Sequence, residues 1–185
     1  MKEPFKGRAR RCFVVGWLLL LMSISSVVYV QAAGLTVGEE YWLTYIREEE
    51  KLARDVYIYL YDKHHSPVFY NIYKSEQKHM DAIKTLLDRY GLNDPAAGND
   101  PGVFDNPDLQ ALYDVLIGQG CVSLVEALKV GVIIEESDID DLTEGIASTK
   151  RKDIITVYNN LMQGSLNHLD AFCSNLTRFG VTCEP

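Results

Sequence analysis

The sequence predicts an all-α protein, a four-helix bundle with a short extra helix in the crossover between the second and third long helices. Apolar residues recur at intervals of three and four through most of residues 34–185, which is the spacing of one helix face. No segment alternates strictly between apolar and polar residues, and no Asn-Gly or Asp-Gly pair marks a hairpin. Residues 93–107 are rich in Pro, Gly, Asn and Asp and read as a loop that separates two helical pairs.

The ends of the helices follow from local signals. Pro67, after Ser66, favours a helix start, and Gly91 favours a helix end. Ser123 and Glu126 have the spacing of a capping box at the third long helix. The predicted helices cover about 36–64, 66–90, 108–117, 123–147 and, after a cap at Ser148 or Thr149, a last helix up to Phe179.

Residues 1–33 predict a targeting segment rather than part of the bundle. Residues 2–11 are basic and residues 12–30 contain no charge, and Val30-Gln31-Ala32 has the small-x-small pattern of a cleavage site. The apolar run approaches the length that spans a bilayer, so an uncleaved membrane anchor is the alternative to a signal peptide. In both cases we expect residues 34–185 to be exported, as a periplasmic, secreted or membrane-anchored domain.

Charge excludes some partners. The chain has 18 basic and 26 acidic residues, and five of the basic residues but only one acid lie within 1–33. The remaining 34–185 therefore carry a net charge of −12 and would repel phosphates. We expect no nucleic-acid partner, membrane contact only through the N-terminal segment, and an affinity for cations.

The cysteines allow at most one internal bridge in the exported domain, because Cys121, Cys173 and Cys183 are three in number. Cys173 and Cys183 lie close to the chain end and would fix the C-terminal tail in an oxidising compartment. The alternative is that Cys121 and Cys173 are buried apolar residues.

Ligand-type residues interrupt the apolar face of every long helix. Glu76 and His79 form a Glu-x-x-His pair, one turn apart, in the second long helix. His168 interrupts the apolar face of the last helix and Glu135 that of the third. In the first helix, Glu49 lies near the centre of the apolar face, Glu50 on its flank, and Glu48 points away.

Several carboxylates that converge in an apolar interior need a compensating charge, which a pair of divalent ions supplies. Carboxylates bind hard ions, and imidazole suits iron, manganese and zinc. The pattern therefore predicts a metal site, with the candidate ligands Glu49, Glu50, Glu76, His79, Glu135, Glu136 and His168.

Two sets of sequence segments resemble known families. Glu-Lys-Leu-Ala-Arg-Asp-Val-Tyr at 50–57 resembles the first-helix motif of rubrerythrin-type ferritin-like proteins, which implies Glu50 as a metal-bridging ligand and Glu76 and His79 as the second-helix pair. The longer run 47–57, with Ser-Glu-Gln-Lys-His-Met-Asp-Ala-Ile at 75–83 and Gly-Ser-Leu-Asn-His-Leu at 164–169, resembles the exported ferritin-like domain-of-unknown-function 2202 family. That resemblance implies a ferritin-like bundle and no known reaction.

The chain departs from the ferritin-like pattern in its last helix, which has Ser165 and His168 where the pattern expects Glu-x-x-His. Glu135, Glu136 or Asp138 would replace the missing carboxylate, or the site would hold one metal or an unequal pair. Geometry favours Glu135 in the third long helix. The run Asp138-Ile139-Asp140-Asp141 is otherwise expected to be a solvated acidic face.

The sequence thus predicts an exported metalloprotein with a di-iron, or iron and manganese, centre. Its expected partners are metal ions and oxygen or peroxide, its expected chemistry is Fe(II) oxidation or peroxide reduction, and a homodimer is one candidate assembly. The alternative is a metal-free helical bundle that serves as an exported interaction or scaffold protein, with the same polar residues bonded to one another. Cys-x-x-Cys pairs and nucleotide-binding or hydrolase motifs are absent from the sequence.

Overall fold

The computed structural model describes residues 34–183, and its secondary structure over this range is helical, without strands. The helices are α1 (Val37–His64), α2 (Pro67–Tyr90), α3 (Pro107–Gly120), α4 (Leu124–Ala147) and α5 (Lys152–Arg178). The prediction of an all-α helical bundle with a shorter helix in the crossover is confirmed. The predicted signal peptide or anchor, 1–33, lies outside the described residues.

Local interactions define several of the helix ends. The Thr36 side chain accepts from the Glu39 backbone N–H and the Glu39 carboxylate accepts from the Thr36 N–H, which closes a capping box at α1. Gly91 takes a left-handed conformation with φ of 70° after α2. Ser123 accepts from the Glu126 N–H at α4, whereas the Glu126 carboxylate accepts from Gln119 and Lys129 instead of completing the box.

The predicted cap of the last helix is wrong. Helix α5 begins at Lys152 and its N-cap residue is Arg151, which makes no side-chain cap hydrogen bond. Thr149 is buried and donates to the Glu39 carboxylate at 2.6 Å, so its hydroxyl ties the α4–α5 connection to the start of α1. The same oxygen accepts from the Arg151 backbone N–H at 3.0 Å, so Thr149 makes a local turn contact before α5 and a tertiary contact to α1 without capping α5.

The bundle consists of two helical hairpins. Helix α1 packs along α2 and α4 along α5, while α1 also contacts α4 and α2 contacts α5. The shorter α3 packs on α1 and α4. Each hairpin thereby buries its apolar face against the other hairpin.

Two apolar clusters fill the interior, one toward each end of the four long helices. One cluster includes Leu52, Ile72, Ile134 and Phe172. The other includes Ile46, Ile83, Leu142 and Leu161. In each long helix a short polar segment lies between the residues that belong to the two clusters, and these four segments form a polar layer at mid-height.

Buried charges of α1 hold the crossover in place. The Lys51 ammonium donates to Asp55 at 2.6 Å and to the carbonyls of Asp100 and Val103 at 2.9 and 3.0 Å. Glu48, which the sequence predicted to point away, is buried and accepts from the backbone N–H of Asp105 just before α3. Because these carbonyls and N–H groups lie in a loop, side chains supply the partners that secondary structure would otherwise provide.

The C-terminal tail is fixed by a disulfide between Cys173 and Cys183, as the sequence had suggested. Cys121 is a free thiol. Within the part of the chain that the structure describes, no helix combines the length and apolarity needed to cross a bilayer.

Candidate metal centre

Five ligand-type side chains meet in the polar layer, contributed by all four long helices. Glu50 comes from α1, Glu76 and His79 from α2, Glu135 from α4 and His168 from α5. Their ligand atoms form two sets, Glu50–Glu76–His79 and Glu76–Glu135–His168, and within each set the atoms lie within 4.8 Å of one another. Because Glu76 belongs to both sets, its two oxygens can serve two neighbouring ions.

The two histidines present the same ring nitrogen to the carboxylates. Nδ1 of His79 lies 2.8 Å from Glu76 Oε2 and 3.2 Å from Glu50 Oε2. Nδ1 of His168 lies 2.8 Å from Glu76 Oε1 and 3.4 Å from Glu135 Oε2. The rings stack with centroids 5.5 Å apart. Each half of the centre thus combines the shared Glu76 carboxylate, one carboxylate that belongs to that half alone, and one imidazole.

The centre leaves several buried polar atoms without a hydrogen bond. These include Glu50 Oε1, Glu76 Oε1 and His168 Nδ1. Glu76 Oε1 and His168 Nδ1 lie 2.8 Å from each other, but their orientation is not that of a hydrogen bond. A buried oxygen or nitrogen without a partner is costly and unusual. A metal ion satisfies such atoms with its coordination bonds, so this donor set fits a metal pair.

The charge state of the centre depends on the same contacts. Burial opposes the ionisation of Glu76, but His168 and His79 outweigh it and lower the pKa of Glu76 to about 2. Burial raises the pKa of Glu50 and of Glu135 to about 7, against the opposing effect of the histidines. Burial works against protonated imidazole, yet the neighbouring carboxylates raise the pKa of His79 to about 11 and that of His168 to about 10. The metal-free centre therefore holds protons that metal binding would displace.

The histidines are slightly less enclosed than the carboxylates of the centre. Each of the three carboxylates is 2% exposed, whereas His79 and His168 are 9% and 8% exposed. A Cβ atom at Gly164 of α5 would lie 2.5 Å from His79 Nε2, so glycine at this position leaves room for the ring where it now lies. Sequence analysis had not singled out Gly164, because a glycine inside a helix gives no sign of which side chain it accommodates.

Tyr57 supports Glu135 from the other side. Its hydroxyl donates to Glu135 Oε1 at 2.6 Å, and both residues are buried. Burial and the charge of Glu135 raise the pKa of Tyr57 well above its ordinary value, so the phenol stays protonated and remains a donor. Tyr57 follows Glu50 by seven residues, about two helical turns, so both side chains lie on the same side of α1.

Two candidate ligands lie apart from the close sets. Glu49 is buried, and its pKa is raised well above the ordinary value by burial and by the charges of Asp138 and Asp141. Glu136 is half-buried and lines a hollow in the outer surface with Ile139 and Leu166. The one-residue offset between Glu135 and Glu136 turns the second side chain about 100° around α4, away from the interior.

The acidic run 138–141 is not a uniformly solvated face. Asp138 is 5% exposed, and the Ser165 hydroxyl donates to its Oδ2 atom. Asp138 Oδ1 has no hydrogen-bond partner, and burial followed by the charges of Glu50 and Glu135 raises the pKa of Asp138 well above its ordinary value. The spacing of three from Glu135 was the available signal, since it places both carboxylates on the same face.

Known proteins share this architecture. A crystal structure of the hypothetical protein MJ0754 from Methanococcus jannaschii matches with a TM-score of 0.81 and 47% identity, covering 83% of this chain and 87% of that one. The uncharacterized protein MJ0754 of Methanocaldococcus jannaschii is 49% identical over 147 residues, or 80% of each sequence. A DUF305 fragment from Deinococcus radiodurans, 12% identical, matches with a TM-score of 0.58 over 79% of this chain and 99% of that one, which is a likeness of fold alone.

The family model described as "Uncharacterized protein domain (DUF2202)" matches residues 39–185. This range contains all five helices except the first two residues of α1, and every residue of the candidate centre. The chain therefore belongs to the DUF2202 family.

Proposed function

We propose that the protein binds two divalent metal ions in the polar layer of the bundle. The observation that carries the proposal is the pair of buried ligand sets, Glu50–Glu76–His79 and Glu76–Glu135–His168, which share Glu76. In the described residues, the ion pairs of these three carboxylates are formed with the two histidines and with no lysine or arginine. Buried carboxylates without a permanent cation favour an exchangeable one.

The donor set favours iron or manganese. Carboxylate oxygens suit hard cations, and imidazole nitrogens suit first-row transition metals. When bound, a ferrous pair supplies two electrons, which with two protons convert one hydrogen peroxide into two water molecules, or which reduce oxygen. Around such ions, Glu76 would contribute to both ligand sets and His79 and His168 would each supply one imidazole, while the Tyr57 hydroxyl orients Glu135.

The proposal also includes a relationship to ferritin-like proteins and export of the domain. A ligand set of Glu50, the Glu76/His79 pair, Glu135 and His168 on four helices supports a ferritin-like centre with a rubrerythrin-like first helix. The basic and apolar order of residues 1–33 supports export by a signal peptide or anchor. The role would then be extracytoplasmic iron handling or defence against peroxide.

Metal counting tests the proposal. The full chain is loaded anaerobically with Fe(II), desalted, and analysed for metal; we expect two ions per chain. Glu76→Gln should lose both ions because Glu76 serves both sets, whereas His79→Ala and His168→Ala should each lose one. Glu136→Gln is the matched control, since Glu136 is the neighbouring carboxylate on the outer face and should leave the count unchanged.

The alternative, a metal-free scaffold protein, predicts that metal does not affect stability. If chelator leaves the Tm of the wild-type protein unmoved, and added Fe(II) or Mn(II) does not raise it, the polar layer is a closed hydrogen-bonded network. The proposal would also be overturned by a wild-type chain that retains no metal, or by Glu76→Gln protein that retains the wild-type count.

A further inference from the structure

The two hairpins do not contribute equal charge to the centre. Helix α2 presents Glu76 and His79 one turn apart, and α5 presents Ser165 and His168 at the same spacing. The α4–α5 hairpin therefore lacks a carboxylate at the position where the α1–α2 hairpin has Glu76. Two divalent ions carry four positive charges, whereas Glu50, Glu76 and Glu135 supply three negative charges. A buried metal pair would be left with an uncompensated charge.

Besides Glu135, α4 carries one other buried carboxylate, Asp138. Asp138 follows Glu135 by one turn on α4 and is 5% exposed. Its Oδ2 atom accepts the hydroxyl hydrogen bond of Ser165, so the serine occupies the place of the absent carboxylate and holds the aspartate beside it. Its Oδ1 atom is buried without a partner, and the charges of Glu50, Glu135 and Glu76 all act on it.

We propose that Asp138 is the fourth carboxylate of the two-metal centre, supplied by α4 in place of a carboxylate on α5. This inference rests on the proposed function. Asp138 stands outside the two closest ligand sets, so binding requires its side chain to rotate while Ser165 retains one oxygen. The Asp138 charge would then balance the fourth positive charge of the pair.

The test is a Mn(II) titration of the full chain, followed by calorimetry, with Asp138→Asn as the main variant. Asparagine keeps the volume and the hydrogen bond to Ser165 but removes the charge. We expect the wild type to bind two ions, and the variant to bind one ion normally and the other about 10- to 100-fold more weakly. Asp140→Asn, which removes an exposed charge from the same helix, should behave as the wild type.

A second variant distinguishes loss of the metal ligand from loss of folding. In the double variant Asp138→Ser/Ser165→Asp the carboxylate and the hydroxyl exchange helices, which conserves volume, charge and the hydrogen bond. We expect it to bind the second ion more tightly than Asp138→Asn does. A purely structural role of the Asp138–Ser165 pair would leave Mn(II) binding equal in Asp138→Asn and wild type, which would overturn this inference alone. A wild type that binds no Mn(II) or Fe(II) would instead overturn the proposed function on which it rests.

Discussion

Gly164 is a single residue on which the geometry of the centre depends. In Gly164→Ala the new Cβ would lie 2.5 Å from His79 Nε2, and the imidazole must move because it is the free end of its side chain. We expect the affinity for one of the two ions to fall about 10- to 100-fold, measured by Mn(II) calorimetry. Gly118→Ala in α3 is the control, because its Cβ would meet no atom within 4 Å. Equal Mn(II) affinity in Gly164→Ala and wild type would contradict this account of the glycine.

The hydroxyl of Tyr57 offers a second test at the scale of one residue. Tyr57→Phe removes a 2.6 Å hydrogen bond from a buried carboxylate, Glu135, while preserving the ring that packs on Phe172. We expect the metal-free protein to lose about 1–3 kcal/mol in denaturant unfolding. Tyr59→Phe, a more exposed tyrosine of the same helix, should be nearly neutral. A Tyr57→Phe protein as stable as the wild type would show that the bond contributes nothing net.

Residue spacing alone located much of the centre. The periodicity of α2 and α5 placed Glu76, His79 and His168 on interior faces, and the structure brings them together. Spacing could not separate Glu49 from Glu50, because both are buried and the difference lies in the rotation of α1 against its neighbours. Asp138 was one of the predicted replacement carboxylates, but the run 138–141 was otherwise expected to be solvated, because its partner hydroxyl, on Ser165, belongs to another helix.

At the scale of elements, Lys51 links α1 to the crossover. Its ammonium is 1% exposed and contacts Asp55 and two loop carbonyls. Lys51→Met should lower the free energy of unfolding by about 3 kcal/mol, the low end for a broken buried pair because Arg54 still binds Asp55. Lys84→Met breaks an exposed pair with Asp88 and should cost less than about 1 kcal/mol in the same denaturant titration. Similar losses in the two variants would contradict the proposed anchoring role.

Asp94 makes the attachment of the crossover sensitive to acid. Its carboxylate accepts two hydrogen bonds of 2.9 Å from Arg47. Burial alone would raise the pKa of Asp94, but the Arg47 guanidinium outweighs it and lowers the pKa below the ordinary 3.8. A depressed folded-state pKa means that this contribution to stability is present above pH 3.8 and is lost as the pH falls through the lowered value.

We therefore expect Asp94→Asn to be less stable than the wild type by about 1.5–3 kcal/mol between pH 5 and 8. The difference should begin to shrink below a pH of about 3.8, where Asp94 of the unfolded chain takes up a proton, and should be lost once the pH falls below the lowered pKa of the folded state. Urea unfolding of both proteins across this pH range measures it. A difference that stayed constant into strong acid would show that the ionised carboxylate is not the source of the stabilisation.

The helices themselves were largely predictable, and their connections were not. Apolar periodicity and signals such as Pro67 and Gly91 act within a few residues, so they can be read from the sequence alone. Thr149 was assigned to a helix cap because its local context allows one, whereas its hydroxyl binds Glu39 from a distant part of the chain. Contacts of that kind depend on how the hairpins pack, which no local pattern encodes.

At the scale of the whole molecule, the Cys173–Cys183 disulfide fixes the tail beside α5 and so keeps Val181 packed on the apolar core. Reduction should lower the stability of the metal-free protein by about 2–3 kcal/mol, because the unfolded chain regains the freedom of a short loop. Thermal unfolding of wild type and Cys183→Ser, each with and without dithiothreitol, measures the effect. Cys121→Ser keeps the bridge and should respond to dithiothreitol as the wild type does. An unchanged Tm after reduction would rule out a stabilising role.

The polar layer between the two apolar clusters makes the stability of the bundle uneven along its length. Each end can remain packed while the middle, with its unpaired buried atoms, opens locally. Amide hydrogen exchange in metal-free protein should therefore be fastest around Glu76 and Glu135 and slower toward both ends of the same helices. Metal bound in the layer would join the two ends into one cooperative unit. Amide protection factors should then become nearly equal along the whole length of each helix.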